Sequence, residues 1–175
     1  MLSIVTSIII GFVASIISSI SFVFLLYFLR PKIKISPYIS CDVGQNGNMR
    51  YRVKFINLSR RSALDVHVRL KLCNTKNVPY GSIVTAKSIP FKVNHIFVLP
   101  GYNSDYQYEE YGRRLVTEED LEYLWNDEDN QYLVLKIVAK DAISGFSRVF
   151  SQRFRTKRNS FQKGSHVCGV SLDVA

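Results

Sequence analysis

Residues 64–72 read Leu-Asp-Val-His-Val-Arg-Leu-Lys-Leu, with an apolar side chain at every second position. Successive side chains of a β-strand point to opposite faces, so this stretch predicts a strand with one buried face and one solvated face. The same alternation runs through residues 49–56, Met-Arg-Tyr-Arg-Val-Lys-Phe-Ile, and through the shorter segment around Ile33 and Ile35. Repeated alternation of this kind indicates antiparallel sheets, and we expect the first two of these strands to pair.

Turn residues divide the rest of the chain into further short strands. The alternation and the turn clusters predict strands at 82–86, 91–99, 132–140, 146–155 and 167–174, and turns or connections at 44–48, 57–62 and 141–145. One helix interrupts them, with Thr117 as its predicted N-cap and Leu121, Leu124 and Trp125 as its apolar stripe. About eight short strands and one short helix indicate an all-β fold, an immunoglobulin-like β-sandwich or a small barrel.

The N-terminal segment 2–29 contains no charged residue. A helix needs about 20 apolar residues to cross a bilayer, and this run is too long for a signal peptide and lacks a basic residue before it. We therefore predict an uncleaved transmembrane helix over residues 2–29 and a soluble domain over 30–175. Basic residues follow the helix, so the positive-inside rule predicts that the N-terminus lies outside and the domain lies in the cytoplasm. An odd number of cysteines agrees with a reducing compartment: Cys41, Cys73 and Cys168.

Small residues recur along this helix at spacings of three and four. Such spacings let helix backbones approach closely in a membrane, so they predict a homo-oligomer, although serine and glycine are also tolerated in a single span. The predicted helix-assembly face comprises Ser7, Gly11, Ala14, Ser15, Ser18 and Ser21.

Charge is unevenly distributed. The chain has a formal net charge of +9, yet residues 102–129 hold ten acidic residues and two arginines. An asymmetry of this size concerns partners and assembly rather than fold. The acidic segment predicts a protein-docking surface, with candidate residues Glu118, Glu119 and Glu122.

The basic residues fall mainly on the predicted outward faces of strands and near the C-terminus. Three interpretations stay open: a solvated face held against anionic lipid, a phosphate-recognising surface for a cyclic nucleotide or oligonucleotide, and contact with the acidic segment of a second subunit. Tyrosines at 102, 106, 108 and 111 either stack on a base or cover an edge of the core. The candidate anion-binding residues are Arg50, Arg52, Lys54, Arg69, Lys71, Arg148, Arg153 and Arg155.

Motifs of known enzyme classes are missing from the sequence. His67, His95 and His166 are far apart along the chain and none has metal-ligand spacing with a cysteine or a carboxylate. There is no P-loop, no dinucleotide fingerprint and no nucleophile elbow. We therefore predict a protein that is not an enzyme and that uses no cofactor and no metal.

Two architectural resemblances add to this interpretation. Residues 132–174 contain an Asp-Ala-Ile-Ser-Gly turn, a Gln152-Arg153-Phe154 strand end and Gly164. They resemble the late strands of the immunoglobulin-like cytoplasmic domain of inward-rectifier potassium channels, although the chain has neither a second span nor a selectivity-filter sequence. An N-terminal anchor followed by a β domain also resembles small bacterial antiviral effectors. That resemblance implies a bacterial-type inner (plasma) membrane, binding of a cyclic nucleotide by the β domain and disruption of the membrane by the assembled helices.

Overall fold

The computed structural model describes residues 2–28, 30–44, 47–104, 109–126 and 130–175. One long apolar helix precedes a region that is mostly β-strand, with two helices of a single turn. The elements in chain order are α1 (Leu2–Phe28), β1 (Ile33–Val43), β2 (Met49–Asn57), β3 (Ala63–Val78), β4 (Gly81–Ile89), β5 (His95–Leu99), β6 (Gly112–Thr117), α2 (Leu121–Leu124), β7 (Gln131–Asp141), β8 (Ser147–Phe154), α3 (Lys157–Ser160) and β9 (Phe161–Lys163).

The strands form two sheets. The four-stranded sheet has the order β6-β2-β1-β9, and only β9 runs parallel to its neighbour. The five-stranded sheet has the order β4-β3-β7-β8, and β5 also pairs with β3. β3 is long enough for both partners, because β5 pairs with its first residues and β4 with its last. The predicted all-β class is confirmed at this level.

The expected pairing of β2 with β3 is wrong, because the two strands lie in different sheets. The connection between them is a fixed corner rather than a hairpin. The Asn57 side-chain amide donates to the carbonyl oxygens of Arg61 and Pro100 at 2.8 and 3.1 Å, and its oxygen accepts from the Ser59 amide. These bonds satisfy the buried backbone where the chain crosses from one sheet to the other.

One hydrophobic core joins the two sheets. The buried faces of β2, β3 and β7 all contribute to the same cluster, through residues such as Phe55, Leu70 and Leu135, none of which is exposed to solvent. Trp125 follows α2 into this core, and its indole nitrogen donates to the Gln131 carbonyl oxygen at 3.1 Å. The alternation seen in the sequence therefore identifies the buried face of β3 correctly, whereas the second half of β2 is buried on both faces.

The C-terminal residues depart from the prediction. The strand expected at 167–174 is a loop, closed by two hydrogen bonds of 2.9 Å between the backbones of Ser165 and Ala175. We call residues 164–175 the C-terminal segment. It lies against β1 and β2 of the four-stranded sheet, where Leu172 packs on Ile56 and accepts a 2.7 Å hydrogen bond from Ser36.

Two local features were also predicted incompletely. β6 was not predicted, because Gly112–Thr117 places two arginines together and has no alternation. The N-cap of α2 is Asp120 rather than Thr117, since the Asp120 carboxylate accepts from the Tyr123 amide at 3.0 Å. The predicted hairpin turn at 141–145 is confirmed, with Gly145 at a φ of +70°.

Candidate functional site

Four basic residues meet on the outer face of the five-stranded sheet. Arg69 of β3 lies directly opposite Lys136 of β7. Lys71 and Arg153 lie opposite Val134 from its two sides, which makes both of them diagonal neighbours of Lys136. We call Arg69, Lys71, Lys136 and Arg153 the basic face.

Within the part of the chain that the structure describes, the basic face carries positive charge without an acidic partner. Among the described residues, no ion pair involves any of these four side chains. Directly opposed positions bring their Cβ atoms to about 5 Å, so the Arg69–Lys136 pair is repulsive. The Arg153 guanidinium lies over the Tyr132 ring, 3.5 Å from its centroid. An anion placed here would relieve the repulsion, and guanidinium groups match the geometry of phosphate.

The predicted residues of the four-stranded sheet have a different role. Arg52 and Arg50 pair with Asp42 at 2.8 and 3.5 Å, and both are partly buried. Lys54 is buried without any solvent exposure. The expectation that these three share an outward face with Arg69 and Lys71 is therefore wrong, because β2 and β3 belong to different sheets.

Lys54 holds the C-terminal segment in place. Its Nζ donates to the carbonyl oxygens of Val167, Gly169 and Ser171 at 2.7, 2.7 and 2.8 Å. It also forms an ion pair of 2.5 Å with Glu109. An ammonium group has three donors and no acceptor, so these oxygens satisfy it completely, and the site has a structural role.

The remaining predicted basic residues separate as well. Arg148 lies opposite buried Ala139 and is therefore on the other side of β8 from Arg153. Arg155 follows the end of β8 and lines a shallow depression together with Arg153 and Tyr132. Of the eight predicted residues, the structure thus brings together Arg69, Lys71, Arg153 and Arg155, and it adds Lys136. The alternation of β7 could have pointed to Lys136, but its position opposite Arg69 depends on strand register.

A histidine pair borders the basic face and was not found from the sequence. His67 and His95 are direct partners across β3 and β5, with their rings stacked 4.4 Å apart between centroids. Both Nε2 atoms approach the same Asp65 oxygen, at 2.9 and 2.8 Å. The hydrogen bond from His95 lowers the pKa of Asp65. His67 and His95 are separated along the chain, and only the strand pairing joins them; the spacing Asp-x-His on one strand face was the available signal.

The acidic segment is partly used within the domain. Glu109 pairs with Lys54 and with Arg114, and Glu118 pairs with Lys92 at 2.6 Å. Glu119 and Glu122, like Glu118, are exposed. Residues 105–108 and 127–129 lie outside the described part, including the predicted Tyr106 and Tyr108.

Tyr102 and Tyr111 cover an edge of the domain. Their rings meet edge to face at 5.1 Å between centroids and pack beside Ile56 and Leu172. Burial raises the pKa of Tyr111. Their packing favours the core-covering interpretation over base stacking.

The residues of the predicted helix-assembly face are exposed along α1. The regular helix keeps residues spaced by three and four on one side. The Ser7 hydroxyl donates to the Ser3 carbonyl oxygen at 2.9 Å, and a β-carbon at Gly11 would meet no atom within 4 Å. This side of the helix therefore carries small, exposed side chains, which would allow a neighbouring helix to approach closely.

No family model matches this chain, and the comparison with curated proteins finds no match either.

Proposed function

We propose that this is a single-pass membrane protein whose cytoplasmic domain, an immunoglobulin-like β-sandwich, binds a phosphate-bearing anion on its basic face. The observation that carries the proposal is the direct opposition of Arg69 and Lys136, without an acidic partner for either among the described residues. Like charges at directly opposed positions destabilise a sheet, and a bound anion would offset this repulsion.

The helix supports the membrane part of the proposal. Residues Ser3–Phe28 are apolar and long enough to cross a membrane, and the most apolar part of the helix has no contact that buries it. An exposed apolar surface of this length is stable in lipid and not in water. At its C-terminal end, the Arg30 guanidinium lies 3.9 Å from the centroid of the Tyr27 ring. Aromatic and basic residues at that end suit the interface of the cytoplasmic leaflet.

A short tether fixes where the domain works. α1 ends at Phe28 and β1 begins at Ile33, so four residues connect them. Four extended residues span at most about 14 Å, which keeps the domain beside the headgroups. The phosphate can therefore belong to an anionic lipid of the leaflet or to a soluble cyclic nucleotide or oligonucleotide.

Assembly through the helix-assembly face would convert binding into a membrane event. A change in the association of the domains reaches the helices directly, because the tether has little slack. A role as a membrane-disrupting effector in antiviral defence rests on the architectural resemblance alone and stays a prediction, as do the homo-oligomer and the absence of enzymatic activity.

The test is the reactivity of lysine side chains in the full-length protein. The protein in nanodiscs of neutral phosphatidylcholine is treated with an amine-acylating reagent, and mass spectrometry measures the modification of each lysine. The treatment is repeated with a panel of cyclic nucleotides and oligoadenylates, and in nanodiscs that contain phosphatidylglycerol. Lys76 and Lys87, exposed on the β3–β4 hairpin, are matched controls.

We expect a ligand to protect Lys71 and Lys136 and to leave Lys76 and Lys87 unchanged. Protection by one nucleotide in neutral lipid identifies a soluble messenger, whereas protection by phosphatidylglycerol alone identifies the leaflet. If no nucleotide and no anionic lipid lowers the reactivity of Lys71 and Lys136 relative to that of Lys76 and Lys87, the proposal is contradicted.

A second function, a non-enzymatic adaptor that docks on a larger complex, is favoured by one observation. Tyr123 is 86% exposed on α2 and directly follows the exposed Glu122, and the exposed Glu119 lies four residues before it in the chain. An exposed aromatic residue with acidic neighbours is typical of a docking surface for a basic protein partner. Reversing Glu118, Glu119 and Glu122 to lysine should then abolish capture of a partner and leave the lysine footprint unchanged. Unchanged capture by this variant would exclude the acidic segment as the docking site.

A further inference from the structure

The surface cluster of Asp65, His67 and His95 offers three metal-ligand atoms in one place. The two Nε2 atoms and a carboxylate oxygen all lie within 4.8 Å of one another. Zinc with bond lengths of about 2.0–2.2 Å in a tetrahedral site separates its ligand atoms by roughly 3.3 Å. The observed contacts of 2.8 and 2.9 Å to the carboxylate are slightly shorter, so small rotations of these exposed side chains would admit an ion.

The backbone supports this arrangement. Asp65 has a φ of +51°, a left-handed conformation that few residues other than glycine adopt. The register between β3 and β7 shifts between Leu64 and His67, so Asp65 lies at an irregularity of the strand. Irregularities of this kind often redirect a side chain beside a functional site. Here a single carboxylate oxygen meets both imidazole rings.

We propose that Asp65, His67 and His95 form a binding site for a divalent transition metal, with zinc as the best match. Two imidazole nitrogens and one carboxylate suit zinc, whereas calcium and magnesium prefer oxygen ligands alone. Three protein ligands leave one coordination position for water or an exogenous ligand. This site goes beyond the proposed anion binding and does not depend on it.

The residues around the cluster affect how tightly it would bind a metal ion and what could bind beside that ion. All three side chains are 42–57% exposed, so ions reach them directly from solvent. Arg69 lies two residues from His67 on the same face, and its charge weakens the binding of a cation. His67 also lines a shallow depression with Arg69 and Lys136. An anionic group on the open position of the metal would therefore lie beside the basic face.

Zinc titration of the full-length protein in detergent tests the proposal. The protein carries Cys168→Ser in every sample, because this exposed thiol is another potential zinc ligand. Isothermal titration calorimetry measures the stoichiometry and Kd, with magnesium as the control ion. We expect one zinc per chain and no magnesium binding.

Variants locate the ion. His67→Gln combined with His95→Gln should raise the Kd at least about 100-fold, since even the loss of a group behind a ligand costs 10–100-fold. Arg69→Gln, which leaves all three ligands, should bind zinc equally or more tightly. His166 is buried and remains in every sample. Absence of zinc binding, or equal Kd values for the double variant and its parent, would overturn the proposal.

Discussion

The Lys54 ammonium nitrogen lies 2.7 Å from the carbonyl oxygen of Gly169, and the lysine side chain has no solvent exposure. The C-terminal segment is thus attached to the four-stranded sheet by a buried cation as well as by the packing of Leu172. Removal of a buried ammonium leaves the carbonyl oxygens around it without a hydrogen-bond donor, which lowers the free energy of unfolding. Water can replace the ammonium only if the C-terminal segment moves away from the sheet.

Replacement of Lys54 by methionine should therefore destabilise the protein strongly. The Glu109 carboxylate and three carbonyl oxygens would lose their partner, and breaking a buried ion pair on one side costs about 3–5 kcal/mol of the free energy of unfolding. Urea unfolding followed by Trp125 fluorescence measures this, since the chain has one tryptophan and it is buried. Lys136→Met, at an exposed position, is the matched control, and equal losses for both variants would contradict the assigned role.

The stability should depend on pH through His166. Burial lowers the pKa of this imidazole, whose Nε2 lies 3.3 Å from the Arg52 carbonyl oxygen. The unfolded chain therefore takes up a proton at higher pH than the folded chain does. The contribution of neutral His166 to the free energy of unfolding is fully present above the ordinary histidine pKa of about 6.5. It decreases as the pH falls below that value. Urea unfolding between about pH 7.5 and pH 5.5 should show a smaller decrease for His166→Gln than for the unaltered protein. Identical decreases would remove His166 as the cause.

Gly164→Ala should release the C-terminal segment. Gly164 has a φ of +121°, and a β-carbon there would collide with the Ala175 carbonyl oxygen. Residues other than glycine lose about 1–3 kcal/mol in such conformations, before the steric clash is counted. Gly145→Ala is the control, because it also has a positive φ but its β-carbon would meet no atom closer than 3.7 Å. Amide exchange of residues 165–175 should accelerate in the first variant only; a similar effect of both would contradict the clash.

Leucine at Gly11 and Ser18 should dissociate any oligomer formed by α1. Both positions are exposed on the helix-assembly face, where larger side chains would keep neighbouring helix backbones apart. Native mass spectrometry of the full-length protein measures the subunit number. Phenylalanine at Ile9 and Ile16, on the opposite side of the helix, adds bulk elsewhere and should leave it unchanged. An oligomer that survives the first pair of substitutions does not use this face.

Thiol labelling should modify Cys168 alone in the folded protein. Cys41 and Cys73 are buried, and burial raises the pKa of the Cys41 thiol to about 11, which suppresses its reactive thiolate. A membrane-impermeant maleimide applied to intact cells should not react with Cys168, but it should react after permeabilisation if the domain is cytoplasmic. Labelling of intact cells would place the domain outside, and rapid labelling of Cys41 would contradict its burial.

The local pattern of the sequence was sufficient for several elements. The alternation in residues 64–72 predicted β3 and its buried face, and the turn at 141–145 predicted the β7–β8 hairpin. The uncharged run 2–29 predicted α1. Each of these depends on neighbours within one element, where side-chain periodicity and turn preference act directly.

Contacts between distant parts of the chain were decided by the tertiary structure. Lys54 and Arg69 have similar places in alternating strands, yet one is buried beneath the C-terminal segment and the other is exposed. The corner at Asn57 sends β2 and β3 into different sheets, and no local pattern encodes that crossing. Strand register likewise joins His67 to His95 and Arg69 to Lys136, because register is set by packing of the whole core. The sequence by itself thus determined the strands and the apolar helix, and the tertiary structure decided which charges of the described residues form ion pairs inside the domain and which lie exposed on its surface.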